Sequence, residues 1–348
     1  MAAHEAVPAT IKPLRPPSRT LALLWSGMSY SWHFRQTMQM LIAPAVRQGW
    51  ELDVYVTLQS GNASLRMGGK RAARKSAPFA VKAMSFLQEV ASLRGAGTCR
   101  VASLREIAPL SFDQVRHISL FRPNASWLHG TGTATNGLYD GFMLGLARQY
   151  FSNWLTAREM LLSDRQPYFA LRLREDAGWY APFDIDQLLW WEQARLNSTL
   201  RLDNSRPKEP APHLVTSTGE TPLIFRPCMH FHGLSDKLWL GSRRRVAWLA
   251  ETMWFYLLTM PPAPPHFVSE ERHILTILLH HEVPFVAPKP TWAAGKMTAF
   301  GIPVSDAIEK PSGDLCFSGY LGPSCPRAAP VRMCRREGQP IRDADLQE

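Results

Sequence analysis

The segment 171–184 carries the densest group of side chains that could do chemistry. It reads LRLREDAGWYAPFD, and its charged residues are Arg172, Arg174, Glu175, Asp176 and Asp184. Carboxylates at a strand end can hold a divalent cation, because hard cations take oxygen ligands and leave positions open for phosphate. Guanidinium groups grip phosphate with two parallel hydrogen bonds. The segment therefore predicts a phosphate-binding site, and the alternative interpretation is an ion-pair cluster that serves the fold.

A second group of polar residues follows at 230–245, with the sequence HFHGLSDKLWLGSRRR. Asp236 could orient an acceptor hydroxyl or act as a general base, or it could simply form an Asx-turn. Ser242 is a suitable N-cap for a helix that begins after it. His230 and His232 would share one face of a strand, but no third ligand follows at a fitting spacing, so zinc is not predicted.

The elements that must position these residues begin with a βαβ unit. Residues 21–25 form a continuous apolar run that ends at Ser26-Gly27, as in a buried parallel strand followed by a tight turn. A helix is predicted over 31–48 and a second strand over 52–57. Ligands of open α/β sheets bind at the carboxyl ends of the strands, so the turn after residue 25 is a candidate wall of the site.

Further helices and strands alternate along the rest of the chain. Helices are predicted over 79–93, 142–162, 243–260 and 270–281, and strands over 99–103, 168–174, 213–216, 237–240 and 283–286. We therefore expect a single α/β domain over 19–293, with a mostly parallel, Rossmann-like sheet flanked by helices. Residues 1–18 are expected to be a flexible leader and residues 294–348 an irregular tail.

Composition excludes some classes of protein and leaves others open. With 348 residues, 45% of them hydrophobic, the chain is ordinary globular material and not a disordered one. No apolar run is long enough to cross a bilayer. The formal net charge of +10 comes mostly from arginine and suits an anionic ligand. The basic residues are spread along the chain, apart from the run at 70–75, so nucleic acid is a less favoured partner than a small anion.

Glycosylation sequons and cysteines bear on the cellular compartment. Asn-x-Ser/Thr sequons occur at Asn62, Asn124 and Asn197, which weakly favours a secretory route. Cys316, Cys325 and Cys334 cluster near the carboxyl terminus in a spacing that matches no zinc pattern. A disulfide in the tail and no bond at all both stay open. The compartment is expected to be the cytosol, or the Golgi lumen if the natural chain begins further upstream.

The order of several sequence pieces resembles the glycosyltransferase-like proteins of the GT-A kind, a poorly characterised group from plants, algae and microbes. The pieces are LALLWSG, LDVYVTL, YFALRLRED, GLSDKLWLGSRRRVAWL and SEERHILTILLHHEVPFV, and they span roughly residues 20–288. The resemblance implies a sheet that binds a nucleotide-diphosphate sugar. It also implies transfer of that sugar to a hydroxyl acceptor on a glycan, protein or lipid.

The resemblance also assigns roles to single residues. It implies that Ser26, Gly27 and Arg35 lie near the donor and that Arg174 and Asp176 occupy the acidic strand-end position. There Asp176 would bind manganese or magnesium, and Arg172 and Arg174 would neutralise the diphosphate. Asp236 and Glu270 are the candidate bases.

One departure concerns the metal. Arg-Glu-Asp stands where metal-dependent members have Asp-x-Asp. A cation held by Asp176 is therefore in question, and the arginines gain weight as diphosphate ligands. Two alternatives to an enzyme stay open, a non-catalytic protein that binds nucleotide-sugars or glycans with the same fold, and an arginine-driven nucleic-acid binder.

Overall fold

The structure is a computed structural model, and it describes the chain in segments that cover most of the predicted elements. The described residues are 19–61, 77–111, 113–115, 136–179, 182–186, 222–225, 234, 236–259, 270–283, 285–286, 291–293, 296–299, 304–309, 314–318 and 334–336. The expected leader at 1–18, the basic run at 70–75, the strand predicted at 213–216, the three sequons and the histidine pair at 230 and 232 lie outside them.

A mixed sheet of seven strands forms the centre of the fold. The strands are β1 (Thr20–Met28), β2 (Glu51–Gln59), β3 (Thr98–Ile107), β4 (Phe169–Arg174), β6 (Leu223–Phe225), β7 (Leu238–Ser242) and β8 (Phe285–Val286). Their order across the sheet is β3-β2-β1-β4-β7-β6-β8. Only β7 among them runs antiparallel to its neighbours, so the sheet is mostly parallel, as predicted.

Helices cover both faces of this sheet. They are α1 (Phe34–Thr37), α2 (Ala43–Arg47), α3 (Phe79–Ser92), α4 (Asn136–Leu162), α5 (Arg243–Thr259) and α6 (Glu270–His280). The predicted helices at 79–93, 142–162, 243–260 and 270–281 are confirmed to within a few residues at most boundaries, although α4 begins earlier than expected. The described part of the chain is therefore an α/β fold.

The strand β1 is buried on both faces because it lies in the middle of the sheet. Leu21, Leu23 and Trp25 point into the core on one side, beneath α1 and α3, and Ala22 and Leu24 point into the core beneath α4 and α5. A parallel strand covered on both sides reads as an unbroken apolar run, which is why the sequence predicted it.

The helical stretch predicted at 31–48 is interrupted in its middle. A 3-10 turn at Ser29–Ser31 precedes α1, and a π-helical segment, Met38–Ile42, separates α1 from α2. Pro44 stands in the first turn of α2, where its missing N–H costs no hydrogen bond within that helix. The wider π turn lets the chain absorb the proline without ending the helical path.

The irregular tail expected after residue 293 is corrected by the structure. The described segments there include β10 (Lys296–Ala299), β11 (Val304–Glu309), β12 (Asp314–Ser318) and β13 (Cys334–Arg336), and β9 (Thr291–Ala293) pairs with β10. β11, β12 and β13 form a second, antiparallel sheet with β5 (Ala177–Trp179). The expected boundary at 293 is therefore crossed by a sheet. These strands are short and lack a clean alternation, so their pattern gave no signal.

The length and hydropathy of the helices bear on whether any of them could span a membrane. Among those in the described segments, none combines the extent and the apolar character needed to cross a bilayer.

Candidate functional site

The order of the strands marks one place on the sheet edge. From β1 the chain continues on one side to β2 and β3, whereas β4 pairs with β1 on its other side. The connections therefore leave β1 in opposite directions, and open α/β sheets bind ligands at the carboxyl ends of strands where this occurs. Ser26 is aligned with Arg174 at this point.

Arg174 and Asp176 form a bidentate ion pair at the end of β4. Arg174 Nε donates to Asp176 Oδ1 at 2.5 Å, and Arg174 Nη2 donates to Asp176 Oδ2 at 2.7 Å. Asp176 lies in the turn that follows β4, only two residues after Arg174, so the pair is local in the sequence. A two-pronged contact of this kind fixes both side chains in orientation.

The antiparallel direction of β7 brings Asp236 and Lys237 to the same place. Leu238, the first residue of β7, is aligned with Leu173, near the last residue of β4, and Arg174 N donates to Lys237 O at 2.9 Å. Lys237 Nζ lies 3.2 Å from each carboxylate oxygen of Asp176. Arg174 Nη1 donates to Asp236 Oδ2. Arg174 therefore bridges two carboxylates, and Asp176 accepts from two cations.

Arg172 lies beneath this cluster and is almost fully buried. Its Nε donates to Asn153 Oδ1 at 3.0 Å, and its Nη1 donates to the backbone carbonyl of Asp236. The guanidinium carbon stands 4.4 Å from the centre of the Trp239 ring, within cation–π range. In the structure the Arg172 side chain therefore holds the backbone of Asp236, and its role as a substrate ligand stays a prediction.

The end of β1 is fastened to the end of β4 through Glu175. Glu175 N donates to Ser26 O at 3.2 Å, and Ser31 Oγ donates to Glu175 Oε1 at 3.2 Å. Gly27 has a φ of +142°, and a Cβ at that position would overlap the Glu175 carboxylate. Glycine is thus required by both backbone conformation and space. The hydroxyl of Ser26 donates to Asn153 Oδ1, which joins it to the Arg172 network.

Arg35 and Glu270 are the two remaining residues that the sequence predicts at the site. Arg35 is exposed on α1, and its Nε lies 3.2 Å from Glu89 Oε1 on α3, so its guanidinium is directed to a neighbouring helix. Glu270 is the first residue of α6, and its side chain lies outside what the structure describes. The base role of Glu270 stays a prediction, whereas the proximity of Arg35 to the donor is not supported by its contacts.

Burial distinguishes the cluster from an ordinary surface network. Arg172, Glu175, Asp176, Asp236 and Lys237 are each at most 4% exposed. The side chain of Arg174 is 19% exposed, which makes it the member of the cluster that reaches solvent. Counting Arg174, three cations stand against three carboxylates, so the group is balanced in formal charge. An incoming anion would meet Arg174 first.

Two members of the network were missed from the sequence. Lys237 directly follows Asp236, and the pair stands immediately before a buried strand, which is the signal that could have marked it. Asn153 lies on α4 within a buried polar group that also contains Ser152 and Thr156. Polar residues on the inner face of an otherwise apolar helix were the available clue.

The donor set at Asp176 suits cationic side chains better than a metal ion. Both oxygens of Asp176 accept from Arg174 and Lys237, and Asp236 accepts from Arg174. Manganese or magnesium would have to displace these donors before it reached either carboxylate. In the described residues no three or more His, Cys, Asp or Glu side chains converge as a metal site would require. A divalent cation at Asp176 stays a prediction, and no step is assigned to one.

A proposal of function for this chain must rest on the geometry of the site. A scan against protein-family models gives no match, and a search of curated proteins gives none either.

Proposed function

We propose that the protein is a glycosyltransferase-like enzyme that binds a nucleotide-diphosphate sugar at the carboxyl ends of β1 and β4 and transfers the sugar to a hydroxyl acceptor. The proposal rests on the buried ion cluster of Arg174, Asp176, Asp236 and Lys237. This cluster lies at the carboxyl end of β4, next to β1, where the chain connections leave β1 in opposite directions. Open α/β sheets bind nucleotides at such points. The mixed sheet with one reversed strand is compatible with the GT-A architecture.

The cations supply what a departing diphosphate needs. In the transfer, a bond forms between the acceptor oxygen and the anomeric carbon, while the bond from that carbon to the diphosphate breaks. The nucleoside diphosphate leaves with the electron pair, so negative charge grows on its oxygens. Preorganised positive groups stabilise such charge strongly where water is excluded. Arg174, which is partly exposed and held by two acids, is the group placed to do so.

Asp236 is the carboxylate we propose as the proton acceptor. The acceptor hydroxyl must lose its proton as its oxygen bonds to the sugar, and a positioned carboxylate can take it. Arg174 holds the side chain of Asp236, and Arg172 holds its backbone carbonyl. The carboxylate is therefore fixed in direction, as a general base must be. The compartment of the protein stays a prediction, either the cytosol or the Golgi lumen.

A binding experiment tests the donor half of this proposal. The full chain is titrated with nucleoside diphosphates and nucleotide-sugars, with manganese and with a chelator, and the melting temperature is recorded. A ligand at a hundred times its Kd stabilises the fold by about 2.7 kcal/mol. We expect stabilisation in the chelator as well, because Arg174 and Lys237 provide the positive charge. Arg174→Lys keeps the positive charge but loses the planar guanidinium that can donate two parallel hydrogen bonds. Nucleotide binding should therefore weaken by about tenfold or more.

Two further variants separate the possible outcomes. Arg100→Lys alters an arginine at the other end of the sheet and should leave nucleotide binding unchanged. Asp236→Asn should keep binding but slow transfer by roughly a hundredfold or more, as expected for a lost base. If the nucleotide binds and no transfer occurs with any acceptor, the non-catalytic alternative holds. If no nucleotide shifts the melting temperature, the proposal is overturned.

A further inference from the structure

Three cysteines of the tail are the motif that the proposed function does not use. Cys316, Cys325 and Cys334 occur within the last part of the chain, and their spacing alone does not say whether any two of them bond. The structure adds one observation, the pairing of β12 with β13.

The register of these two strands puts two cysteines directly opposite each other. β12 and β13 are antiparallel, with Asp314 aligned with Arg336 and Cys316 aligned with Cys334. Opposed residues in antiparallel strands have Cα atoms about 4.5 or 5.5 Å apart, depending on the hydrogen-bonding pattern. Disulfides span Cα separations of about 4.4–6.8 Å. Both kinds of opposed pair therefore fall within the span of a disulfide.

We propose that Cys316 and Cys334 form a disulfide that fastens β13 to β12 in an oxidising compartment. Each thiol loses its proton, one sulfur–sulfur bond forms, and two electrons pass to a low-molecular-weight disulfide such as oxidised glutathione, which is cleaved to two thiols. The cross-link closes the loop 317–333, and this restricts the unfolded chain.

The position of the cross-link in the second sheet gives it a structural role. The sheet order is β13-β12-β11-β5, so β13 is an edge strand of three residues. Such a short edge strand has few backbone hydrogen bonds to hold it. At the opposite edge, β5 begins immediately after Asp176. The disulfide therefore secures one edge strand of a sheet whose other edge strand, β5, begins beside the candidate site.

Cys99 provides an internal comparison within the same chain. Burial, with a smaller contribution from Asp53, raises the pKa of the Cys99 thiol to about 12. The thiolate, which is the reactive form in disulfide exchange, is then scarce at neutral pH. Cys99 should consequently stay reduced under conditions in which the tail pair oxidises.

Peptide mapping of the full chain tests the proposal. The protein is equilibrated in a glutathione buffer as oxidising as a secretory lumen, its remaining thiols are alkylated, and it is digested with trypsin and chymotrypsin. Cleavage after Phe317 or Tyr320 separates Cys316 from Cys325, and cleavage after Arg327 or Arg332 separates Cys325 from Cys334. We expect one linked species containing Cys316 and Cys334, lighter by two hydrogens than the sum of its free peptides and lost on reduction.

Matched variants show which two of the three tail cysteines form the disulfide. Cys325→Ser should retain the linked species in full, whereas Cys334→Ser should abolish it and leave Cys316 alkylated. A linked species that contains Cys325, a bond between two chains, or complete alkylation of Cys316 and Cys334 in the oxidising buffer would each overturn the proposal. A non-reducing gel of the native chain shows whether the bond joins two chains, and its peptide map distinguishes the other results, so a variant that folds poorly does not decide the outcome.

Discussion

The two ends of the central sheet both anchor aspartates with arginines, but they bury very different amounts of charge. Near the amino ends of the strands, the Asp53 side chain is 5% exposed and meets Arg100 and Arg165, whose side chains are 47% and 49% exposed. At the carboxyl ends, Asp176, Asp236 and Lys237 are at most 5% exposed, and Arg174 is 19% exposed. The amino end keeps its cations in water, whereas the carboxyl end does not.

That difference separates a contact that serves the fold from one that suggests a function. Burying several charges costs desolvation free energy that their mutual attraction only partly offsets, so a buried cluster is a poor way to stabilise a fold. The Asp53 contacts show that this chain can anchor an acid with exposed arginines. The additional burial at the carboxyl end is consistent with the anion site proposed above, since charged groups act strongly where there is little water.

Removal of one arginine at each end of the sheet should give the largest difference in the free energy of unfolding. Arg174→Ala leaves two buried carboxylates with less compensation and should lower the free energy of unfolding by about 3–5 kcal/mol. Arg100→Ala should cost less than about 1 kcal/mol, because the pair is exposed on the arginine side and Arg165 remains 3.7 Å from Asp53. Urea unfolding of both variants measures this, and equal losses would contradict the distinction.

The free energy of unfolding should also depend on pH, through the buried side chain of His273. Burial lowers the pKa of His273 from 6.5 to about 4, and Tyr150 Oη lies 3.1 Å from its Nδ1. The unfolded chain therefore binds a proton between these two pH values that the folded chain does not. Stability should fall as the pH drops from about 6.5 towards 4, by roughly 3 kcal/mol in total.

A variant isolates that contribution. His273→Asn should flatten the curve of unfolding free energy against pH over this interval, while its stability at neutral pH changes through packing and through the contact with Tyr150. A variant with the same slope as the original chain would show that His273 does not titrate as described.

The smallest of the three effects concerns the close approach of β1 and β4. Gly27→Ala places a Cβ against the Glu175 carboxylate at a φ of +142° and should cost about 1–3 kcal/mol. Gly145 on α4 has no atom within 4 Å of an added Cβ, so Gly145→Ala should stabilise the helix by about 0.5–1 kcal/mol. Thermal unfolding of the pair gives opposite signs if the carboxyl end is as tightly built as its contacts indicate. A neutral Gly27→Ala would show that Glu175 moves aside freely.

Much of the fold could be predicted because its strongest elements carry their own periodicity. β1 appears as an apolar run, β2 is rich in residues that favour strands, and α4 places apolar residues at helical spacing from residue 142 onwards. The charges at the end of β4 could likewise be recognised, since Arg172, Arg174 and Asp176 follow one another in the sequence. These signals are local, so a single chain is enough to show them.

The relation between β4 and β7 could not be predicted in this way. Lys237 and Asp236 reach Arg174 only because β7 runs antiparallel, and a parallel β7 would have put them at the opposite edge of the sheet. Strand direction depends on tertiary connections, not on the composition of five residues. The contact of Arg35 with Glu89 has the same origin, because it depends on where α3 packs.

The short β5 has a practical consequence for anyone who shortens this protein. Ala177, Gly178 and Trp179 pair with Asp306, Ser305 and Val304, and β5 starts at the residue after Asp176. A truncated version that stops at 293 would remove β11, the strand that pairs with β5, right beside the acid that Arg174 and Lys237 hold. Loss of activity in such a fragment would report damage to this strand rather than the absence of a separate domain.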